Sequence, residues 1–157
     1  MIAKLTVLCC SALAVGSPIP PVYTAADRNV SPPLQWGAGP AGTKSFAVLC
    51  DDPDAPIGDW VHWVIFNIPA DQTGLPEGVP QQAKRPDGSI QGLNDSRHPG
   101  YDGPYPPPGK PHRYFFKVFA LDTMLSLGPA ARKRDLLKAI EGHVLAQGEW
   151  MGTFLRR

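Results

Sequence analysis

No block of like charge runs through this chain of 157 residues: fifteen Lys and Arg are set against fourteen Asp and Glu, for a net charge of +1. Without a basic stripe there is no electrostatic footprint for nucleic acid, and without a polybasic cluster nothing draws the chain to anionic lipid. Cysteine is scarce. Cys9, Cys10 and Cys50 are odd in number and cannot close a set of intrachain disulfides, and the neighbours Cys9 and Cys10 fit neither a CxxC metal clip nor a CxxC redox motif. All three read as buried thiols in a reducing compartment, so the expected location is cytoplasmic. The apolar run from Leu5 to Val15 is far short of the ~20 residues that span a bilayer, so no integral membrane contact is expected. Lys4 ahead of that run and the triplet Ala12-Leu13-Ala14 offer an export reading, with Met1–Ala14 as a short signal peptide. A first strand in the same residues is the preferred alternative.

What the chain has in excess is proline and glycine, nineteen and sixteen residues. Together they argue for many turns and against a helical bundle. Apolar content of 43% supports a real core, and the length fits one domain over residues 1–157. Three apolar, aromatic and β-branched runs predict strands: Lys44 to Cys50, Trp60 to Ile68 and Tyr114 to Leu121. In the second, alternation puts Trp60, His62, Val64 and Phe66 on one face and Val61, Trp63, Ile65 and Asn67 on the other. Both faces are largely apolar, which predicts a central strand covered on both sides, with His62 inside the protein.

Long proline-rich loops separate these runs: 17–33, 51–58, 69–86 and 92–111. Loops of this length in a compact domain usually carry function. One helix is predicted late, started by Gly128-Pro129 and marked by an apolar stripe of Leu136, Leu137, Ile140 and Val144. Gly148 is expected to end that region, before a short closing strand from Trp150 to Leu155. Strands first and a helix last imply a mainly β fold, antiparallel, with a flanking C-terminal helix.

Several side chains are candidates for chemistry. In Asp51-Asp52-Pro53-Asp54-Ala55-Pro56 each proline restrains itself and the residue before it, so the carboxylates have little freedom of direction. Taken alone, this is a rigid turn with Asp caps. His62 alone is a core histidine hydrogen-bonded to a neighbour. Gly103 to Pro111 alone is a polyproline linker or a ligand for a partner domain. It runs straight into a strand, however, and His112 and Tyr114 then project from one face at that strand's start.

Together these pieces carry more. Asp-Pro-Asp-Ala-Pro at 52–56, Trp60-x-His62-Trp63, and a Gly-Pro-x-Pro-Pro loop leading to His112-Arg113-Tyr114 resemble the phosphatidylethanolamine-binding family. Ile19-Pro20, Tyr23-Thr24, Ser31-Pro32-Pro33-Leu34-x-Trp36, Gly42 to Ala47, Asn94-Asp95, Gly100 to Pro104 and Gly152-Thr153-Phe154 agree. The compact length resembles the bacterial and archaeal branch described as Raf kinase inhibitor-like proteins. The resemblance covers about residues 13–157 and implies an antiparallel β-sandwich-like fold. It also places Leu13 in the first strand, so cleavage after Ala14 would remove part of the fold.

The resemblance implies a small surface pocket for phosphate, a carboxylate or a phospholipid headgroup. Asp52 and Asp54 stand at its acidic-loop positions, Pro56 and Pro107 at its walls, and Trp60 and His62 on its strand. Tyr105 falls near a glycine that offers its N–H in some members, and His112 and Tyr114 stand at the far side. His62, Tyr114 and loop N–H groups are expected to donate to the anion. Asp52 is expected to hold His112 or His62 in one tautomer and favour its protonated form. Three departures stand out: the triple proline Pro106-Pro107-Pro108 stiffens the rim, Tyr105 narrows or occludes the mouth, and Ser96-Arg97-His98 follows Asn94-Asp95 where an aromatic and a glycine are common. His98 and His143 are expected to be exposed and unpaired.

A non-enzymatic binding protein without cofactor, regulating or inhibiting a kinase or protease partner, is the function implied. The alternative is a metal-binding protein or enzyme using Asp52, His62 and His112, the ingredients of a zinc or non-haem iron site. Against it, no further carboxylate is placed to orient both imidazoles, and no Ser or Cys sits in a nucleophile motif. Proline-rich loops beside a tryptophan-rich sheet also offer a patch for a two-fold homodimer.

Overall fold

The computed structural model describes residues 1–157. Nine strands and one helix follow in the order β1 (Ala3–Lys4), β2 (Val7–Cys9), β3 (Leu34–Trp36), β4 (Ser45–Asp52), β5 (Trp60–Pro69), β6 (Gly74–Leu75), β7 (Ile90–Gln91), β8 (His112–Leu121), α1 (Lys133–Ile140) and β9 (Val144–Phe154). Six strands form one sheet in the order β1-β9-β8-β4-β5-β7, and β2-β3-β6 form a second, smaller one. All pairings are antiparallel except β1 with β9. The fold is mainly β and sandwich-like, as the sequence implied.

Each face of the larger sheet buries its own core. Toward the small sheet, Val7, Leu34 and Trp36 pack with Phe46, Val48, Trp63, Ile65, Phe116 and Trp150. Toward the helix, Ala47, Leu49, Val64, Phe66 and Leu121 pack under Leu136 and Ile140 of α1. β4 and β5 are therefore covered on both sides, and both carry the near-continuous apolar runs such a position requires.

The simple alternation expected for β5 is wrong in detail. Its ladder with β4 shifts register between Phe46 and Val48 and again between Cys50 and Asp51. Each shift is a β-bulge, an extra residue that resets which side the following residues face. At the first, Asn67 takes a left-handed backbone (φ 57°) and its amide clasps the Leu125 backbone at 2.8 and 2.9 Å. At the second, His62 is the extra residue between Val61 and Trp63. Val61, Val64 and Phe66 consequently share the helix side, while Trp63, Ile65 and Ile68 face the small sheet.

The helix is shorter than its apolar stripe suggested. It ends at Ile140, where Gly142 (φ 78°) reverses the chain and His143 N–H closes onto the Ile140 carbonyl at 2.9 Å. Val144 already belongs to β9, and Leu137 is exposed. Gly128-Pro129 forms the preceding turn and not the first helical turn, since the Arg132 N–H is capped by Asp135 at 2.9 Å. Gly148 lies inside β9 and does not end a segment. A Cβ there would stand 1.9 Å from the Leu5 carbonyl, so only glycine lets the amino-terminal segment lie against β9.

The first strand is also corrected. β2 ends at Cys9, Leu13 makes only an isolated bridge back to Cys9, and Cys10, Ser11 and Ala12 between them have positive φ. His98 is exposed as expected. His143 is not: it is half-buried and bonded to Asp122 at 2.8 Å. No helix is long and apolar enough to cross a membrane.

Candidate functional site

Antiparallel neighbours bring the end of one strand beside the starts of the next, and β4 lies between β8 and β5. Asp52 at the end of β4, Trp60 and His62 at the start of β5, and His112 and Tyr114 at the start of β8 therefore meet at one edge of the sheet. They line a cavity of about 580 Å³ together with Pro56, Tyr105 and Pro107 from the two proline-rich loops. The His62 bulge turns that ring to this side, edge-on to Tyr114 with centroids 5.2 Å apart.

Two tethers orient the histidines. His112 Nδ1 is 2.7 Å from Asp52 Oδ2, with both side chains buried. The other Asp52 oxygen accepts the Asp54 N–H at 2.7 Å, so the carboxylate is held at both ends. His62 Nδ1 is 2.5 Å from the Asp102 carbonyl, which can only accept, so Nδ1 carries the proton. Burial drives the His62 titration below its ordinary value, against the pull of the Asp102 carbonyl and the Asp52 charge. The ring is therefore neutral at pH 7, and its other nitrogen is an acceptor. Burial pushes the Tyr114 phenol well above its ordinary range, reinforced by Asp52, so its O–H stays available as a donor.

Asp54 was expected in the pocket and is not among the residues that line it. It faces outward in a two-pronged ion pair with Arg113, at 2.9 Å to both Nε and Nη2. The Arg113 guanidinium holds the Asp54 carboxyl down at about 2. The alternation of β8 separates the two pairs: Arg113 points away while His112 and Tyr114 point in. Tyr105 stands at the mouth, 56% exposed, without filling it. The Arg156 guanidinium stacks over its ring at 4.2 Å and bonds the Pro106 carbonyl at 2.6 Å.

Residues the sequence reading did not place among the ligand contacts complete the wall: Ser96 and Asp102, with Ala25, Ala55, Ile57, Gly103 and the rim residue Pro106. Asp102 accepts from Ser96 Oγ at 2.5 Å and from Asn29 at 2.9 Å, while its backbone brackets His62 through its carbonyl and its N–H. Only its place in the Gly100 to Pro104 segment hinted at it, and no spacing to His62 could. No group of three or more His, Cys, Asp or Glu side chains is arranged to hold a metal ion, since Asp52 faces His112 as an orienting partner.

The model of the phosphatidylethanolamine-binding protein family matches residues 11–155. The chain belongs to this family. A UPF0098 protein of Methanothermobacter thermautotrophicus is 56% identical over 138 residues, covering 88% of this chain and 91% of that protein. One from Pyrococcus horikoshii is 45% identical, covering 88% and 71% respectively. Among solved structures, a phosphatidylethanolamine-binding protein homologue from Chlamydia trachomatis superposes with a TM-score of 0.87 at 34% identity, covering 98% of this chain and 99% of that one. The E. coli YbcL structure, a member of the mammalian family, gives 0.89 at 33%, covering 99% and 100%.

Proposed function

We propose that the cavity binds a small oxyanion, a phosphate, a phospholipid headgroup or a carboxylate, and does so together with a proton. The observation that carries this is the composition of the wall: Tyr114 and two tethered histidines, with two aspartates and no Lys or Arg. Such a site has hydrogen-bonding capacity for an oxyanion but no fixed positive charge to balance one. Balance must come from a proton, on a histidine or on the ligand itself. The expected roles then change for one residue: His62 donates to the anion only when protonated, whereas Tyr114 donates at any pH near neutrality.

Binding without turnover fits the same geometry. The one serine on the wall, Ser96, donates to the Asp102 carboxylate with no histidine beside it to take up its proton, which is not the arrangement of an activated nucleophile. Anion affinity is expected to fall as pH rises through the histidine range, and Tyr114→Phe to weaken it by about 2- to 12-fold, the equivalent of one ordinary hydrogen bond. Calorimetric titration with inorganic phosphate at pH 5.5 and 8.5 tests this. Equal affinity at the two pH values, or an unaffected Tyr114→Phe variant, refutes it.

A further inference from the structure

Neighbouring residues of an extended strand point to opposite faces, so two adjacent cysteines there would never meet. Cys9 and Cys10 do meet: their sulfurs are 3.1 Å apart. The cause lies in the backbone. β2 ends at Cys9, and Cys10, Ser11 and Ala12 follow with φ of 54°, 67° and 106°. Three consecutive non-glycine residues in this region persist only where the surroundings impose them. Here the Cys10 N–H is fixed to the Pro33 carbonyl at 3.0 Å, and the N–H groups of Ala12 and Leu13 close onto the Cys9 carbonyl at 3.2 and 2.9 Å. Trp150 Nε1 anchors the far end through the Leu13 carbonyl at 2.8 Å. The turn folds Cys10 back over Cys9.

The two thiols are not equivalent. Cys9 is 1% exposed in the core, whereas Cys10 is half-buried and open to small reagents. We infer that Cys9 and Cys10 form a reaction site for low-molecular-weight disulfides, with Cys10 as the attacking thiolate and Cys9 as the resolving thiol. Cys10 Sγ attacks the reagent RS–SR, forms a mixed disulfide and expels RS⁻. Cys9 then gives up its proton to the medium and attacks Cys10 Sγ, expelling the second RS⁻. With the protons taken up, one dithiol and one RS–SR become one Cys9–Cys10 disulfide and two RSH, and two electrons pass from the protein to the reagent.

The assignment of roles follows from exposure: the half-buried Cys10 is the thiol a reagent can reach, while Cys9 is sealed in the core. A Cys10 thiolate can accept from the Cys9 S–H 3.1 Å away, which lowers the Cys10 thiol below its ordinary value against the effect of burial. Cα atoms joined by a trans peptide are about 3.8 Å apart, closer than the roughly 4.4–6.8 Å usual for a disulfide. The closed ring is therefore strained and readily reduced, the character of a reversible modification and not of a structural crosslink. None of these residues lines the cavity, so the inference is independent of the anion site.

The test exposes the reduced full-length protein to oxidised glutathione, quenches with iodoacetamide and reads intact and peptide masses. The expected end product has lost two hydrogens, mapped to a peptide containing both Cys9 and Cys10, and dithiothreitol restores the original mass. Cys10→Ser should abolish this shift, Cys9→Ala should stop at one glutathione adduct on Cys10, and Cys50→Ser should change nothing. Should Cys9→Ala fail to fold, the wild-type time course carries the same information through a transient adduct on Cys10. A lasting glutathione adduct on the wild type, a bond to Cys50 or between chains, or reaction only after unfolding in urea overturns the inference.

Discussion

Replacing His62 with Gln separates a titrating cavity histidine from one that merely packs. His62 is 5% exposed, its Nδ1–H is committed to the Asp102 carbonyl, and burial disfavours its charged form. In the unfolded chain the same imidazole takes a proton near its ordinary value of 6.5. Below that pH the unfolded state binds more protons than the folded one, so stability must fall as pH falls. One proton limits the slope to about 1.4 kcal/mol per pH unit. Above about pH 7.5 the imidazole is neutral in both states and contributes no slope. The Gln side chain keeps an N–H for Asp102 but cannot titrate. Urea unfolding followed by tryptophan fluorescence, from pH 5 to 8.5, should therefore give a wild-type-minus-variant difference that is flat above about pH 7.5 and declines below about pH 6.5. Phosphate at ten times its dissociation constant should add about 1.4 kcal/mol to the wild type at pH 5.5, because the anion partners the imidazolium. Parallel curves for the two proteins across the whole range would refute the reasoning, since the buried ring would then take its proton as easily folded as unfolded.

Asp54→Asn should leave phosphate affinity unchanged in the calorimeter, because Asp54 faces Arg113 outside the cavity. Both partners are substantially exposed, so its cost near pH 7 should be at most about 1 kcal/mol. That cost is present above the unfolded carboxyl value of 3.8 and vanishes as pH falls through about 2. Gly148→Ala should cost about 1–3 kcal/mol in urea unfolding, since its methyl meets the Leu5 carbonyl at 1.9 Å, while phosphate affinity stays as in the wild type.

Much of this protein was legible in its residues. The β-branched and aromatic runs located β4, β5 and β8 to within about two residues, because central strands covered on both faces must be apolar throughout. Motif resemblance implied that Asp52, Trp60, His62, His112 and Tyr114 share one site, and all five line the same cavity. Where local pattern failed, a tertiary constraint had overruled it. Leu137 and Val144 fit a helical stripe, yet the β9 pairing with β8 claimed Val144. Asp54 sat in the right loop, but Arg113 drew it outward.

Composition and pattern by themselves determined the fold class and the central strands, because each rests on periodicity and on residue types a local stretch displays, and the family resemblance implied the segments that build the cavity. Only the tertiary structure decided which atoms face one another. A bulge at His62, a carbonyl from Asp102 forty residues away and a left-handed turn at Cys10 set the proton on Nδ1 and bring two sulfurs within 3.1 Å. These depend on bonds between distant parts of the chain, and strand alternation read along the sequence has no means of registering them.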